Sequence, residues 1–121
     1  MADSAAAVLY QVMAALASGN RLVLAESAAA RKVQAALPEA LRAHVTVDAA
    51  WFDKAVGAVL LDGSDTEADA LQVRIAARSG PILQALRPMP DYDLSRLVHE
   101  RTLSINTAAA GGNASLMAMG A

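Results

Sequence analysis

The first residues of the chain have the hydrophobic periodicity of a helix. Apolar residues recur at spacings of three and four from Val8 to Leu16, which predicts an amphipathic helix. Asp3 or Ser4 can cap its start, and Gly19 supplies the residue that commonly ends a helix in the left-handed conformation. We therefore expect the first helix to run to about residue 18.

Short apolar runs alternate with further helical segments after that point. The runs predict four strands, at residues 21–25, 45–47, 56–61 and 82–86. The segments between and after them predict helices at residues 28–37, 39–43, 64–79 and 92–98. Ser64 and Glu67 have the spacing of a capping box at the start of the third of these. Trp51 and Phe52 lie in a short turn or helix, where they either pack in the core or form an exposed hot spot for binding.

Strands and helices that alternate in this way favour one class of fold. Parallel strands joined by right-handed helical crossovers give an α/β domain. We therefore expect a small parallel sheet with flanking helices over residues 1–101, followed by an extended tail over residues 102–121.

The last twenty residues differ in composition from everything before them, since they contain no charged residue and no histidine. Solvated tails are usually charged, so this one is expected to lie against protein. Glycines permit close backbone approach, polar side chains can satisfy buried backbone groups, and one leucine can fill a contact. The residues that we expect to form this interaction tail are Asn106, Thr107, Gly111, Gly112, Asn113, Ser115 and Leu116. The alternative is a frayed terminus in an alanine-rich chain.

Composition narrows the possible functions. The net charge is −2 with scattered basic residues, which argues against a nucleic-acid partner. The chain has no cysteine, hence no thiolate nucleophile, no disulfide and no cysteine-based metal site. No apolar run approaches the length of a membrane span, and the amino terminus lacks the basic region of a signal peptide, so we expect a cytoplasmic location.

Candidate chemistry is sparse. A dinucleotide site needs a glycine-rich turn between strand and helix, whereas the turn at Glu26 has no glycine and the turn at Gly63 is flanked by Asp62 and Asp65. Acidic turns repel phosphate, so nucleotide binding is not expected. His44 and His99 have no ligand partner at suitable spacing. We therefore predict no catalytic, cofactor-binding or metal residues in this chain.

Residues 100–117, which read ERTLSINTAAAGGNASLM, resemble the extreme carboxyl terminus of the proline utilization A (PutA) family. Upstream, the runs AVLLDGSD from Ala58 and AARSGPI from Ala76 are similar in kind and spacing to the domain before that tail. The resemblance covers most of the chain, strongly after Gly57 and loosely before it. Members of the family join proline dehydrogenase to Δ1-pyrroline-5-carboxylate (L-glutamate γ-semialdehyde) dehydrogenase.

The resemblance implies a noncatalytic, Rossmann-like domain, related in fold to the nucleotide-binding domain of aldehyde dehydrogenases. It implies that the tail packs on the aldehyde dehydrogenase part of the same enzyme, in cis or across a dimer, and helps close the substrate-channelling cavity. FAD and NAD would be bound by the parent enzyme and neither by this fragment. The family has a further strand upstream of the first helix, so we expect an unpaired edge at residues 22–25 or at a neighbouring strand.

One alternative reading remains open. A free-standing flavodoxin-like module would bind a small ligand at the carboxyl ends of its strands. In this chain such a site would lie around Glu26, Asp48 and Asp62.

Overall fold

The computed structural model describes residues 4–99 and contains the expected alternation of helices and strands. The helices are α1 (Ala5–Ala17), α2 (Ala28–Ala36), α3 (Glu39–Arg42) and α4 (Asp65–Ala76). The strands are β1 (Leu22–Ala25), β2 (Val45–Asp48), β3 (Ala58–Leu60) and β4 (Gln84–Leu86). Two short 3-10 helices occupy Trp51–Asp53 and Leu94–Leu97. The domain boundary at residue 101 and the interaction tail lie outside the described residues.

Serine side chains start the three longest helices. The hydroxyl oxygens of Ser4 and Ser27 accept hydrogen bonds from backbone N–H groups in the first turns of α1 and α2, at 3.1 and 3.0 Å. Ser64 does the same for α4, and the Glu67 carboxylate bonds back to the backbone N–H of Ser64 at 2.8 Å. The predicted capping box is therefore confirmed. Gly19 follows α1 with a φ of 75°, as its place beyond a helix end predicts.

The four strands form two separate parallel pairs. β1 pairs with β2, from Leu22 opposite Val45 to Ala25 opposite Asp48. β3 pairs with β4, from Ala58 opposite Gln84 to Leu60 opposite Leu86. Parallel strands linked by helices confirm the α/β class. Among residues 4–99 the sheet is divided in two, whereas the sequence predicted one sheet.

Three apolar clusters hold these elements together. The first joins α1 and α2 to the β1–β2 pair, and its buried residues are Val8, Val12, Leu24, Ala30, Val33, Leu37 and Val45. The second joins α4 to β3, and its buried residues are Val59, Leu61, Leu71, Ile75 and Leu83. The third joins α1 to the β3–β4 pair through Ala14, Leu86 and Tyr92. α1 thus contributes to the cores of both strand pairs.

Several predicted elements are longer than the observed ones. Strands were expected at residues 56–61 and 82–86, but pairing covers only three residues of each, and Ile82 is 93% exposed. The third inter-strand helix ends at Ala76, because Arg78 N–H bonds the carbonyl of Ile75 and closes the last turn. The sequence predicted a last helix that begins at Tyr92. In the structure, Tyr92 is buried and precedes the 3-10 helix, which starts after Asp93 and is capped by the Asp93 side chain.

Candidate functional site

The residues predicted to form the interaction tail, from Asn106 to Leu116, lie outside residues 4–99, so their roles stay predictions. The described residues do contain a site that the sequence did not reveal. A cavity of about 820 Å³ lies between β1 and β3. We refer to it as the inter-sheet cleft, and its walls include all of β1, all of β3 and the inner side of α1.

The backbone edges of β1 and β3 face this cleft. In a parallel ladder, alternate residues point their N–H and C=O groups to opposite sides. Leu22 donates to His44 beside β2, so Val23 and Ala25 point the other way. Leu61 donates to Leu86 of β4, and the same alternation turns the polar groups of Ala58 and Leu60 away from β4. Within residues 4–99, two strand edges without a strand partner therefore border one cavity.

One side chain already bonds to the edge of β3. Gln11, on α1, is 6% exposed and is the buried polar residue among those described. Its amide nitrogen donates to the carbonyl of Leu60 at 3.2 Å and to the hydroxyl of Tyr92 at 3.4 Å. A buried carbonyl that lacks a strand partner must find another donor, and Gln11 supplies it.

Helices cover the cleft from two directions. Side chains from α1 and α2, including Val8, Ala15 and Ala30, form part of its lining. Side chains from α4, including Leu71 and Arg74, form another part. β3 is packed on both faces, since Val59 and Leu61 belong to the α4 cluster while Ala58 and Leu60 pack against the cluster of Ala14 and Tyr92. Side chains therefore cover both faces of β3 beside the cleft, as they do for a strand in the middle of a sheet.

Two of the three acidic residues of the alternative ligand site, Glu26 and Asp48, are engaged locally. Glu26 forms an ion pair with Arg31, one turn into α2. Asp48 pairs with Lys54 at 2.9 Å and accepts the backbone N–H of Ala50 at 2.8 Å. These bonds, with that from Lys54 first, hold the pKa of Asp48 below its ordinary value. Neither carboxylate is thus free of a protein partner.

The two turns that would meet a dinucleotide phosphate are occupied by the protein's own oxygens. Ser27 accepts the N–H of Ala30 at the start of α2. At the other turn, a Cβ on Gly63 would come within 2.7 Å of Oε2 of Glu67, so this carboxylate fills the space beside the glycine. The bond from the Ser64 backbone lowers the pKa of Glu67, which keeps it charged. The Glu67 carboxylate therefore places negative charge beside Gly63, which disfavours an anionic phosphate at this turn.

A tyrosine pair lies beside the middle of α1. Tyr10 and Tyr92 have ring centroids 5.4 Å apart, and the hydroxyl of Tyr10 donates to Asp91. That hydrogen bond raises the pKa of Tyr10, while burial is the main cause of the raised pKa of Tyr92. Both therefore remain neutral at physiological pH and act as packing and hydrogen-bonding groups.

The last described residues are bonded to the loop that follows α1. The side-chain nitrogen of Asn20 donates to the carbonyl of Leu97 at 2.7 Å. Residues 95–99, including His99, line the inter-sheet cleft. The segment that enters the tail therefore starts beside the cleft, at a position fixed by Asn20.

Aromatic residues after β2 pack onto α4. Trp51 and Phe52 contact each other edge to face and lie against the second apolar cluster, as the core interpretation predicted. The guanidinium carbon of Arg74 lies 4.4 Å from the ring centre of Phe52. His44 follows α3 and donates its backbone N–H to the carbonyl of Leu41, which agrees with its predicted place after a helix end.

Sequence comparison gives relatives over nearly the whole chain. The Bifunctional protein PutA of Escherichia coli strain K12 is 37% identical over 129 aligned residues, which cover 99% of this chain and 10% of that protein. The chain is homologous to a segment of PutA. The PutA of Salmonella typhimurium strain LT2 gives the same identity and coverage, and that of Rhizobium meliloti is 36% identical over 92% of this chain.

The resemblance read from the sequence is therefore confirmed. The chain spans about a tenth of the length of the PutA proteins that it matches, and its placement at their carboxyl end stays a prediction. No family model matches the chain, and no solved structure does.

Two negative findings apply to residues 4–99. None of their helices has the length and apolar content to cross a membrane. Over the same residues, histidine and acidic side chains do not gather in any group of three that could hold a metal ion.

Proposed function

We propose that this chain is the noncatalytic carboxyl-terminal portion of a bifunctional enzyme that converts proline to glutamate. The observation that carries the proposal is the 37% identity to PutA proteins over 99% of the chain. The described domain is a Rossmann-like unit in this proposal, which its parallel strand pairs and intervening helices support. The expected location is the cytoplasm.

The tail is the functional element of this proposal. Its uncharged residues pack on the aldehyde dehydrogenase part and help close the cavity through which Δ1-pyrroline-5-carboxylate, or glutamate semialdehyde, passes. The bond between Asn20 and Leu97 supports this role, because it fixes the point from which the tail extends. A tail that covers another domain needs a rigid base.

Catalysis belongs to other parts of the enzyme. Aldehyde oxidation through a thiohemiacetal requires a cysteine, and this chain contains none. NAD and FAD are assigned to the parent, since the carboxylate of Glu67 fills the space beside Gly63 that a phosphate would need. In this proposal the fragment has a structural role, through its contacts with the rest of the enzyme.

Deletion of residues 107–121 from the full-length enzyme tests the tail. Aldehyde dehydrogenase activity, or the transfer of intermediate between the two sites, should fall while proline oxidation is kept. The measurements are each half-reaction alone and the lag time of the coupled reaction. Survival of both the dehydrogenase activity and the coupling would overturn the covering role.

Point changes refine that test. Gly112→Val adds a branched side chain where close approach is expected and should act like the deletion. Leu116→Asp places a charge in a dry contact and should also disrupt docking. Asp3→Ala is the matched control and should leave both activities unchanged.

The enzyme fragment and the alternative ligand-binding module make opposite predictions for the isolated chain. If the chain is an enzyme fragment, isothermal titration with NAD, FAD and ATP should give no heat of binding, because acidic groups occupy both candidate turns. Micromolar affinity for any of the three would favour that alternative over the enzyme fragment.

A further inference from the structure

We propose that Arg74 and Arg78 form a binding site for a dicarboxylate at the end of α4, beside the ring of Phe52. We refer to the two residues as the arginine pair. Arg74 belongs to the last turn of α4, and Arg78 follows the end of that helix. The inference goes beyond the proposed function and does not depend on it.

One aromatic ring lies beside both guanidinium groups. The guanidinium carbon of Arg74 lies 4.4 Å from the ring centre of Phe52, and that of Arg78 lies 5.8 Å from it. The two carbons are therefore at most about 10 Å apart. Like charges at this separation repel each other, and an aromatic ring offsets only part of that repulsion. A dianion bound to both groups would offset more of it.

The ring and one of the two arginines are held in place by the protein. Trp51 contacts Phe52 edge to face, with ring centres 5.3 Å apart, and both side chains pack on the α4 cluster. Arg78 donates from Nη2 to the carbonyl of Lys54 at 2.6 Å. Side chains that are already ordered lose less conformational freedom when a ligand binds. The arginine pair is therefore preorganised for an anion.

The described protein does not neutralise the arginine pair. Among residues 4–99, the ion pairs within 4.0 Å involve other cations. Asp48, which precedes the aromatic residues, is bonded to Lys54 at 2.9 Å. Arg78 uses one N–H donor for the carbonyl of Lys54 and keeps the others for a ligand. Two positive charges with available donors thus lie next to one ring.

The geometry favours two carboxylates over one phosphate. A guanidinium group presents its N–H donors in a planar fork that matches a carboxylate. Two such groups beside one ring match two carboxylates joined by a short apolar link, which can lie against Phe52. A compact phosphate has no apolar part to place on the ring. The two carboxylates can belong to one small molecule or to neighbouring glutamates of a protein segment.

Trp51 makes the site observable, because it contacts Phe52 and is the one tryptophan of the chain. Glutarate is titrated into the unmodified 121-residue chain at constant ionic strength, since salt screens exposed charges. The fluorescence should change saturably, with a Kd of a few millimolar. Pentanoate has the same carbon chain with one carboxylate and should bind at least about fivefold more weakly. An absent or unsaturable response to glutarate, or equal binding of pentanoate, would overturn the proposal.

Single substitutions test the two arginines. Arg74→Gln and Arg78→Gln should each weaken glutarate binding by at least about fivefold, since each removes one charge-assisted contact. Arg96→Gln, at an exposed arginine of the last 3-10 helix, removes the same charge and is the matched control. Its affinity should stay within about twofold of the unmodified chain. Equal weakening in all three variants would show that net charge attracts the anion, and this result would overturn the site.

Two further probes identify the class of ligand. A peptide with two glutamates and blocked ends that binds more tightly than glutarate would support the site with a protein segment as its source. Weaker binding of that peptide would support the site with a small molecule as its source. Phosphate that binds as tightly as glutarate would overturn the dicarboxylate assignment. None of these measurements involves enzyme activity, so failure of this site is distinguishable from failure of the tail's covering role.

Discussion

The two strand pairs differ in length and in the side chains that cover them. The β1–β2 pair has four residues per strand and an aliphatic core contributed by two helices. The β3–β4 pair has three residues per strand, an aromatic cover from Trp51 and Phe52, and polar devices around α4. These devices are the capping box of Ser64 and Glu67, the bonds from Arg87 to Asp65 and to the carbonyl of Gly63, and the contact of Arg74 with Phe52.

This difference indicates how a short strand pair can persist. Three paired residues bury little apolar area, so local caps and an aromatic cover supplement the core. The longer pair has polar bonds of its own, such as those from Gln34 to Val45 and from Arg42 to Leu37, and two helices pack on it. α1 links the two arrangements, since one side belongs to the aliphatic cluster and another contacts Leu86 and Tyr92.

Removal of one buried leucine should test whether the pairs unfold together. Leu24→Ala, in the β1–β2 half, should lower the free energy of unfolding by about 3 kcal/mol. Because α1 is shared, the transition seen by the fluorescence of Trp51, whose side chain packs on the α4 cluster, should shift by the same amount as the circular dichroism. Leu41→Ala, at a 41% exposed position, is the control and should change stability by less than about 0.5 kcal/mol. An unshifted Trp51 transition would mean that the halves are independent.

Two glutamines sharpen the comparison, because each bonds a strand carbonyl. Gln11 bonds Leu60 at the cleft, and Gln34 bonds Val45 at 2.7 Å on the outer side of β2. Gln11→Leu should lower the free energy of unfolding by about 1–2 kcal/mol, since Gln11 is buried and its partners lose their donor. Gln34→Leu should cost less, because the Gln34 side chain is only half-buried. Chemical denaturation of both variants measures the difference, and a larger loss at Gln34 would contradict this assignment.

Loss of the α4 cap should destabilise the β3–β4 half moderately. Ser64→Ala removes the acceptor for the Glu67 N–H and should cost about 1 kcal/mol in thermal or chemical unfolding. The matched change Ser95→Ala, in an exposed 3-10 turn, should cost less.

The same capping box gives a pH dependence. The pKa of Glu67 is lowered in the folded protein, so its contribution is present above its unfolded pKa and is lost as pH falls through the folded value. Stability should therefore decrease below about pH 4.5. Glu67→Gln should flatten that part of the profile, and an unchanged profile would show that other groups dominate.

The smallest effect is expected at the surface of the β1–β2 half. Glu26→Gln breaks an exposed ion pair with Arg31 and should change the free energy of unfolding by less than about 0.5 kcal/mol. Increased salt should reduce even that difference. A loss above about 1 kcal/mol would assign Glu26 a structural role that its exposure does not suggest.

Local chemistry made most of the fold predictable. Ser4, Ser27 and Ser64 marked helix starts because an N-cap acts within one turn, and Gly19 marked a helix end for the same reason. Strand lengths were overestimated because a strand ends where its pairing with the neighbouring strand ends, which the sequence does not show. Ile82 continues an apolar run, yet no described strand residue lies opposite it, and it is exposed.

The inter-sheet cleft could not be predicted from the sequence, for a related reason. The resemblance predicted an unpaired edge at β1 or a neighbour, but not that the edges of β1 and β3 face a common cavity. Gln11 carried no signal either, because a glutamine in a helix usually faces solvent. Its role depends on Leu60, 49 positions away.

The bond between Asn20 and Leu97 sets a limit on distance. Residues 98–121 follow Leu97 in the sequence, and a fully extended chain advances at most about 3.3–3.6 Å per residue. The greatest reach of these 24 residues is therefore about 85 Å. Any surface that the tail covers, in the same subunit or in a neighbouring one, must lie within that radius of Leu97. A straight path to a distant surface would leave no residues for docking, so the contact region has to lie well inside this sphere.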